Sequence, residues 1–315
     1  MPDTTFFAAR ADGRPHLALF LNAGDPPARL TDLALVLEEE GVDVLELAVP
    51  FPNSPTDGPV IRRSADRALA AGTTLDTVLD ELATLRPQLK NLKIALLADW
   101  SHSLRAADPA TCARAIAQAG ADALLVHALP PRLRPAWRQA LREAALPQVA
   151  TCYPTSTPEV LTAAARDAHD AYVYLVAHYG RSGTTPAQGH HTLAATVATL
   201  RAAAPATPVA IGFGVKSAAD LDAVAAAGAD AAIVGSAAVA RIETALTEGR
   251  DAAQALRALL HDLRPPGPPQ PATAGRTTST TAVPRTTAVP RTTSTSTTPG
   301  TTSTSTTPGT TTPAR

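Results

Sequence analysis

The run GVDVLELAV, residues 41–49, is short and largely apolar, with Asp43 near its start and a second carboxylate, Glu46, in its centre. Apolar side chains on both parities mark a strand covered on both faces, which belongs to a parallel sheet rather than to a half-solvated antiparallel one. Upstream, residues 29–40 read as a helix closed by Gly41, and LALFLNAGDP (17–26) reads as a first strand ending in a turn. The segment FFAAR (6–10) suggests a short amphipathic helix placed to cover one end of the sheet. Downstream, helices are expected over 60–71 and 75–85, the second behind Thr74 as a cap. The alternation then continues: strands over 92–98, 123–127, 148–152, 171–177, 208–212 and 231–234. Helices fall between them over 109–119, 133–144, 158–165, 193–203 and 218–227, with a last one over 252–263. Eight strands, each followed by helix over about 250 residues, point to an α/β chain folded as a closed (β/α)8 TIM barrel, because closure removes sheet edges. A doubly wound open sheet is the runner-up, since strand count alone does not prove closure.

The barrel domain is expected to occupy residues 1–264. From residue 265 to 315 the large apolar residues disappear and Thr, Ser, Pro and Gly take over, with TTAVPR repeated at 280–291 and TTSTSTTPG at 292–309. Such a low-complexity tail cannot bury enough apolar surface to offset chain entropy and is expected to be disordered. All 28 acidic residues precede it while four of the 27 basic ones lie within it, so the barrel part is net acidic. That argues against nucleic acid as a partner. No run approaches the roughly 18 apolar residues of a membrane span, so no membrane is expected. No signal peptide is evident at the N-terminus, and Cys112 and Cys152 form neither a CxxC pair nor a Cys/His cluster. Both read as small buried apolar residues in a cytoplasmic, reducing setting.

Chemistry concentrates just after the opening run. The stretch LELAVPFPNSPTDGP (45–59) places Glu46 in an apolar strand and Asp57 on a proline-rich loop. Two carboxylates in such different surroundings are suited to divide acid and base roles in a proton transfer. The plainer alternative is a satisfied core acid and a turn residue. Three glycine-bearing loops follow consecutive late strands: GRSGTT (180–185), GFGVKS (212–217) and GSA (235–237). Barrel enzymes bind phosphate at such places, where glycine lets backbone amides approach the anion. Phe20, Trp100, Leu125, Tyr172, Tyr174 and Phe213 fall at strand ends, as barrel core or as the wall of a flat apolar pocket. His127 and His178 end strands four and six, within reach of such a pocket. The histidines show no metal-ligand spacing, and His190 and His191 are adjacent, so no metal is expected.

These motifs together resemble the tryptophan synthase alpha subunit family. The likeness spans about residues 6–248 and is carried by AGDP (23–26), ELAVPF with DGP (46–51, 57–59), RAL with AG (67–72), GRSG, GFGV with Ser217, and GSA. It implies cleavage of indole-3-glycerol phosphate, a phosphate ester, to indole and glyceraldehyde 3-phosphate, without a cofactor. It also implies Glu46 as the proton-transfer group and Asp57 as the acid at the indole nitrogen. Gly183, Gly212, Phe213, Gly214, Gly235 and Ser236 would hold the phosphate, and Phe20, Leu125 and Tyr174 would line the indole pocket. Three departures stand out. Asp99, with Trp100 beside it, occupies the place of a family tyrosine, and Ala128 replaces an aspartate after His127. Asp99, Trp100 and His127 are therefore also expected around the ring. Asn53-Ser54 replaces the Asp-Pro pair through which the family communicates with a beta subunit, which argues against the usual form of that partnership. Two further readings remain open: a lyase for a modified indole or related aryl glycerol phosphate, and a non-catalytic partner subunit.

Overall fold

In the computed structural model of the chain, residues 6–7, 14–168, 170–177, 193–212 and 214–264 are described. Eight parallel strands, β1 His16–Asn22, β2 Val44–Ala48, β3 Lys93–Asp99, β4 Ala123–His127, β5 Gln148–Cys152, β6 Asp170–Val176, β7 Val209–Gly212 and β8 Ala231–Val234, close into a barrel. Closure is made by β1 against β8, from His16 opposite Ala231 to Leu19 opposite Val234, which excludes the open sheet. Around the strands run α1 Leu30–Glu39, α2 Pro59–Ala70, α3 Leu75–Leu85, α4 Pro109–Gln118 and α5 Arg134–Glu143, then α6 Pro158–Asp167, α7 Ala194–Ala203, α8 Ala218–Ala226, α9 Ser236–Thr247 and α10 Ala252–Leu263. Helix α9 is the element that the sequence pattern does not announce. It starts directly after β8 on Gly235, with no side chain capping its first turn. Elsewhere the caps are chemical: Thr74 and Thr77 bond each other's backbone at the start of α3, and Asp108, Thr157, Ser217 and Asp251 accept from the third residue of their helices.

The strands' two parities build two cores. Outward-facing residues such as Leu19, Leu45, Leu47, Ile94, Leu96, Leu124 and Ile211 pack under the helices. The inward parity carries small residues near the strand starts: Ala18, Ala95, Ala123, Ala171, Ala210 and Ala231. Small side chains there leave room for large ones, and the space is taken by Tyr172 with Phe6 and Phe7, whose rings stand 5.4 Å and 5.5 Å from the tyrosine. The expected helix over 6–10 lies mostly outside the described residues, but Phe6 and Phe7 do seal this end of the barrel. Residues 265–315 also lie outside them. Among the described residues no helix is long and apolar enough to cross a membrane. Cys112 and Cys152 are both buried, and burial pushes the Cys152 thiol up to about 12, which keeps it an inert apolar residue.

One polar brace links three elements. Arg67 on α2 donates to both oxygens of Asp25, at 2.8 Å each, and to Glu243 on α9 at 2.7 Å. Arg63 adds two bonds to the same Glu243, at 2.9 and 2.7 Å. Those guanidinium bonds outweigh the effect of burial and hold the Glu243 carboxyl at about 2. Asp25 of the AGDP motif and Arg67 of the RAL motif are thus partners.

Candidate active site

Side chains from the C-terminal ends of the strands surround one cavity, where barrel sites are built. Its wall includes Phe20, Leu125, Tyr174, Asp57, Asp99 and His127, together with Gly214, Gly235 and Ser236 from the loops after β7 and β8. Trp100 is not in the wall. Asp99 takes the inward parity at the end of β3, so the next residue turns outward, and the Trp100 indole packs against the core beneath the helices. Gly183, Arg181, Ser182, His178 and Phe213 lie outside the described residues.

Glu46 stands in the middle of β2, paired with Phe20 on β1 and Ala95 on β3. Its carboxylate is completely buried and sits beneath the cavity rather than in its wall. One oxygen, Oε1, accepts a 2.6 Å bond from the Tyr172 hydroxyl, while Oε2 has no partner among the described residues. Loss of water, only partly offset by the Tyr172 bond, raises the carboxyl to about 7. Tyr172 is itself pushed well above its usual value, by burial and then by the Glu46 charge, so it stays a donor. Its pairing with Glu46 could not be read from a sequence separation of 126 residues.

Asp57 lies on the loop between β2 and α2 and is half-buried in the cavity wall. Burial raises its carboxyl; the Ser54 hydroxyl, His127 and Arg62 act in the opposite direction. Tyr174 feels both acids: burial first, then Glu46 and Asp57, raise its phenol. Its edge also rests on β7. A side-chain carbon at Gly212 would come within 2.6 Å of Tyr174, so only glycine fits there.

Asp99 is 3% exposed but richly bonded. Oδ1 accepts from the Ser101 hydroxyl at 2.7 Å, the His102 amide at 3.0 Å and His102 Nδ1 at 2.7 Å; Oδ2 lies 3.0 Å from His127 Nδ1. Burial raises this carboxyl, but the bonds from Ser101, His127 and His102 win and hold it at about 2. Phe51, which the sequence reading passes over, stacks on both imidazoles, 5.3 Å from His102 and 5.6 Å from His127.

After β7 and β8 the cavity wall is glycine-rich. Gly214 adopts φ +82°, a conformation that side chains resist, and Ser236 opens α9 with Gly235 before it. Free amides at the first turn of a 12-residue helix form a site suited to an anion. Among the described residues no three His, Cys, Asp or Glu side chains gather as a metal site would require.

A family model described as tryptophan synthase alpha chain matches residues 6–265. The tryptophan synthase alpha chain of Burkholderia mallei is 36% identical over 245 residues, covering 78% of this chain and 89% of that protein. Among solved structures, tryptophan synthase subunit alpha from Legionella pneumophila superposes with a TM-score of 0.71 at 29% identity, covering 81% of this chain and 93% of that one. Mycobacterium tuberculosis tryptophan synthase superposes with a TM-score of 0.70 at 30% identity, covering 82% and 94%. The chain belongs to the tryptophan synthase alpha chain family, whose members are lyase-type enzymes.

Proposed function

We propose that this chain cleaves indole-3-glycerol phosphate to indole and glyceraldehyde 3-phosphate. The observation that carries the reading is the pair of unlike carboxylates at one glycine-bearing cavity: Glu46 beneath it, at about 7 with one oxygen unpartnered among the described residues, and Asp57 in its wall. The carbon bond to be broken joins C3 of the indole to the hydroxyl-bearing carbon of the side chain. Protonation at C3 turns the ring into a leaving group, and loss of the hydroxyl proton forms the aldehyde as the C–C electron pair moves to the ring. A carboxyl poised near neutrality serves both proton movements, giving one proton and taking one, so its state is restored after each turnover. Oε2 is the oxygen available to the substrate, since Tyr172 holds the other. Asp57 accepts the indole N–H and offsets the positive charge that C3 protonation creates on the ring. The phosphate takes the amides around Gly214, Gly235 and Ser236, with Gly212, Phe213 and Gly183 as further members of that cradle. Phe20, Leu125 and Tyr174 pack the ring. Incubating the purified chain with indole-3-glycerol phosphate should release indole and glyceraldehyde 3-phosphate in equal amounts. Absence of both products, alone and with a beta subunit from the same source, overturns the reading.

A tryptophan synthase beta subunit is the natural candidate partner, but the loop speaks for limited dependence on it. Asn53 is exposed at φ 57°, a conformation that asparagine tolerates, and carries no charge for an ion pair; Ser54 is turned inward and buried. The loop is instead tied to the barrel by Phe51 on the two imidazoles. The chain is therefore expected to turn over unaided. A rise above about tenfold on titrating the beta subunit, roughly 1.4 kcal/mol of barrier, would restore an ordinary partner-activated alpha chain.

A further inference from the structure

The Asp99 cluster does more than fill the rim. Asp99 is ionised, so it only accepts hydrogen bonds, and the imidazole nitrogen facing it must carry a hydrogen. This fixes His127 with Nδ1–H on Asp99 and its other edge at the cavity, where His127 shares the wall with Asp57. The same carboxylate fixes His102 at 2.7 Å. Both rings then carry Phe51, which lies six positions before Asp57 on the same loop. A chain of contacts thus runs from the end of β3 through two imidazoles and a phenyl ring into the loop that holds Asp57. A second, shorter link is the electrostatic attraction between His127 and Asp57 themselves.

We propose that Asp99 and His127 are positioning residues for Asp57: Asp99 orients His127, and His127 with Phe51 holds the Asp57 carboxylate at the aryl end of the cavity. The proposal rests on the role given to Asp57 above, and it accounts for a loop held in place without a partner protein. The groups facing His127 are Asp99 and His102 from the end of β3 and the turn after it, and Asp57 from the β2 loop. Arg62 on α2 and Tyr174 on β6 complete the charges and phenols around Asp57.

Two measurements test it. The first needs no substrate: the Asp57 carboxyl is titrated by carbon NMR in the full chain and in His127→Asn. Removing His127, which lowers the Asp57 carboxyl, should raise the Asp57 midpoint by about half a pH unit or more. An unmoved midpoint overturns the proposal, whatever the enzyme's substrate. The second is a double-mutant cycle on steady-state indole release, with substrate in excess. His127→Asn and Asp99→Asn should each lower kcat about tenfold with KM within about twofold, and neither should cost more than about twofold further in an Asp57→Asn background. Independent, multiplying losses would show a merely structural role and sink the proposal. If Asp99→Asn does not fold, His127→Asn, on a side chain already 32% exposed, carries both arms. A wild-type chain that releases no indole would count against the lyase reading alone, and the NMR arm would still decide this one.

Discussion

Glu46 and Asp99 sit on neighbouring strands, expose almost no surface, and carry the same functional group, yet one is held at about 7 and the other at about 2. Depth and donors both differ. Among the described residues Glu46, sealed inside the barrel, has one tyrosine hydroxyl and an oxygen left over, whereas Asp99, at the rim, receives bonds from Ser101, from the His102 amide and ring, and from His127. Burial raises both, more strongly the deeper acid, and the hydrogen bonds to the charged form keep Asp99 a carboxylate. The barrel interior beneath the cavity offers few donors because its inward parity is alanine, tyrosine and valine. The rim after β3 turns tightly through Trp100–Leu104, and that turn aims an amide and two side chains back at one carboxylate.

This contrast can be broken at several points. The largest expected effect is on turnover: Glu46→Gln and Asp57→Asn should each lower indole release by at least about 10²-fold while leaving the fold intact. A near-normal rate in either would make that acid structural. Next comes stability against pH. Because the folded chain holds a proton on Glu46 that the unfolded chain releases above 4.5, the Glu46 contribution is fully present below 4.5 and is lost as pH rises through about 7. The loss is on the order of 3 kcal/mol, and Glu46→Gln should melt at a temperature independent of pH across that window. Asp99→Asn should behave with the opposite sign. It is destabilised at pH 7 by about 1–3 kcal/mol through lost charge-assisted bonds. The deficit relative to the parent disappears as pH falls through about 2, where Asp99 itself protonates. Melting curves read both when carried from about pH 1.5, below the Asp99 value, to about pH 8. The smallest effect is that of removing residues 265–315, which should leave the melting temperature and the turnover unchanged.

Much of the barrel was legible in the chain. The strands over 123–127, 148–152 and 231–234 and the helix over 252–263 coincide with the structure's bounds, because each is a compact apolar run closed by Gly, Pro or a charged turn. Helix α9 was not legible, since Gly235 gives no capping side chain and GSA reads equally as an anion loop. In the candidate site the residue types were readable but their placement was not. Glu46 lies beneath the cavity, not in its wall, because Tyr172 draws it down from a strand 126 residues away. Trp100 faces away from the ring pocket because strand parity gives the inward place to Asp99. Phe51 matters through contacts with His127 at the end of β4 and His102 in the turn after β3, and no local pattern encodes that.

The brace of Arg63 and Arg67 on Glu243 has one more effect. It fastens α2, which begins where the Asp57 loop ends, to α9, whose first turn belongs to the proposed phosphate cradle. The two ends of the cavity are therefore bolted to each other across the outside of the barrel, and the span between them is set by covalent geometry and ion pairs rather than by the substrate. On the proposed reaction such a mouth would act as a gauge: it would measure how many carbons separate a flat ring from a phosphate, and a molecule one carbon too short or too long would satisfy only one end at a time.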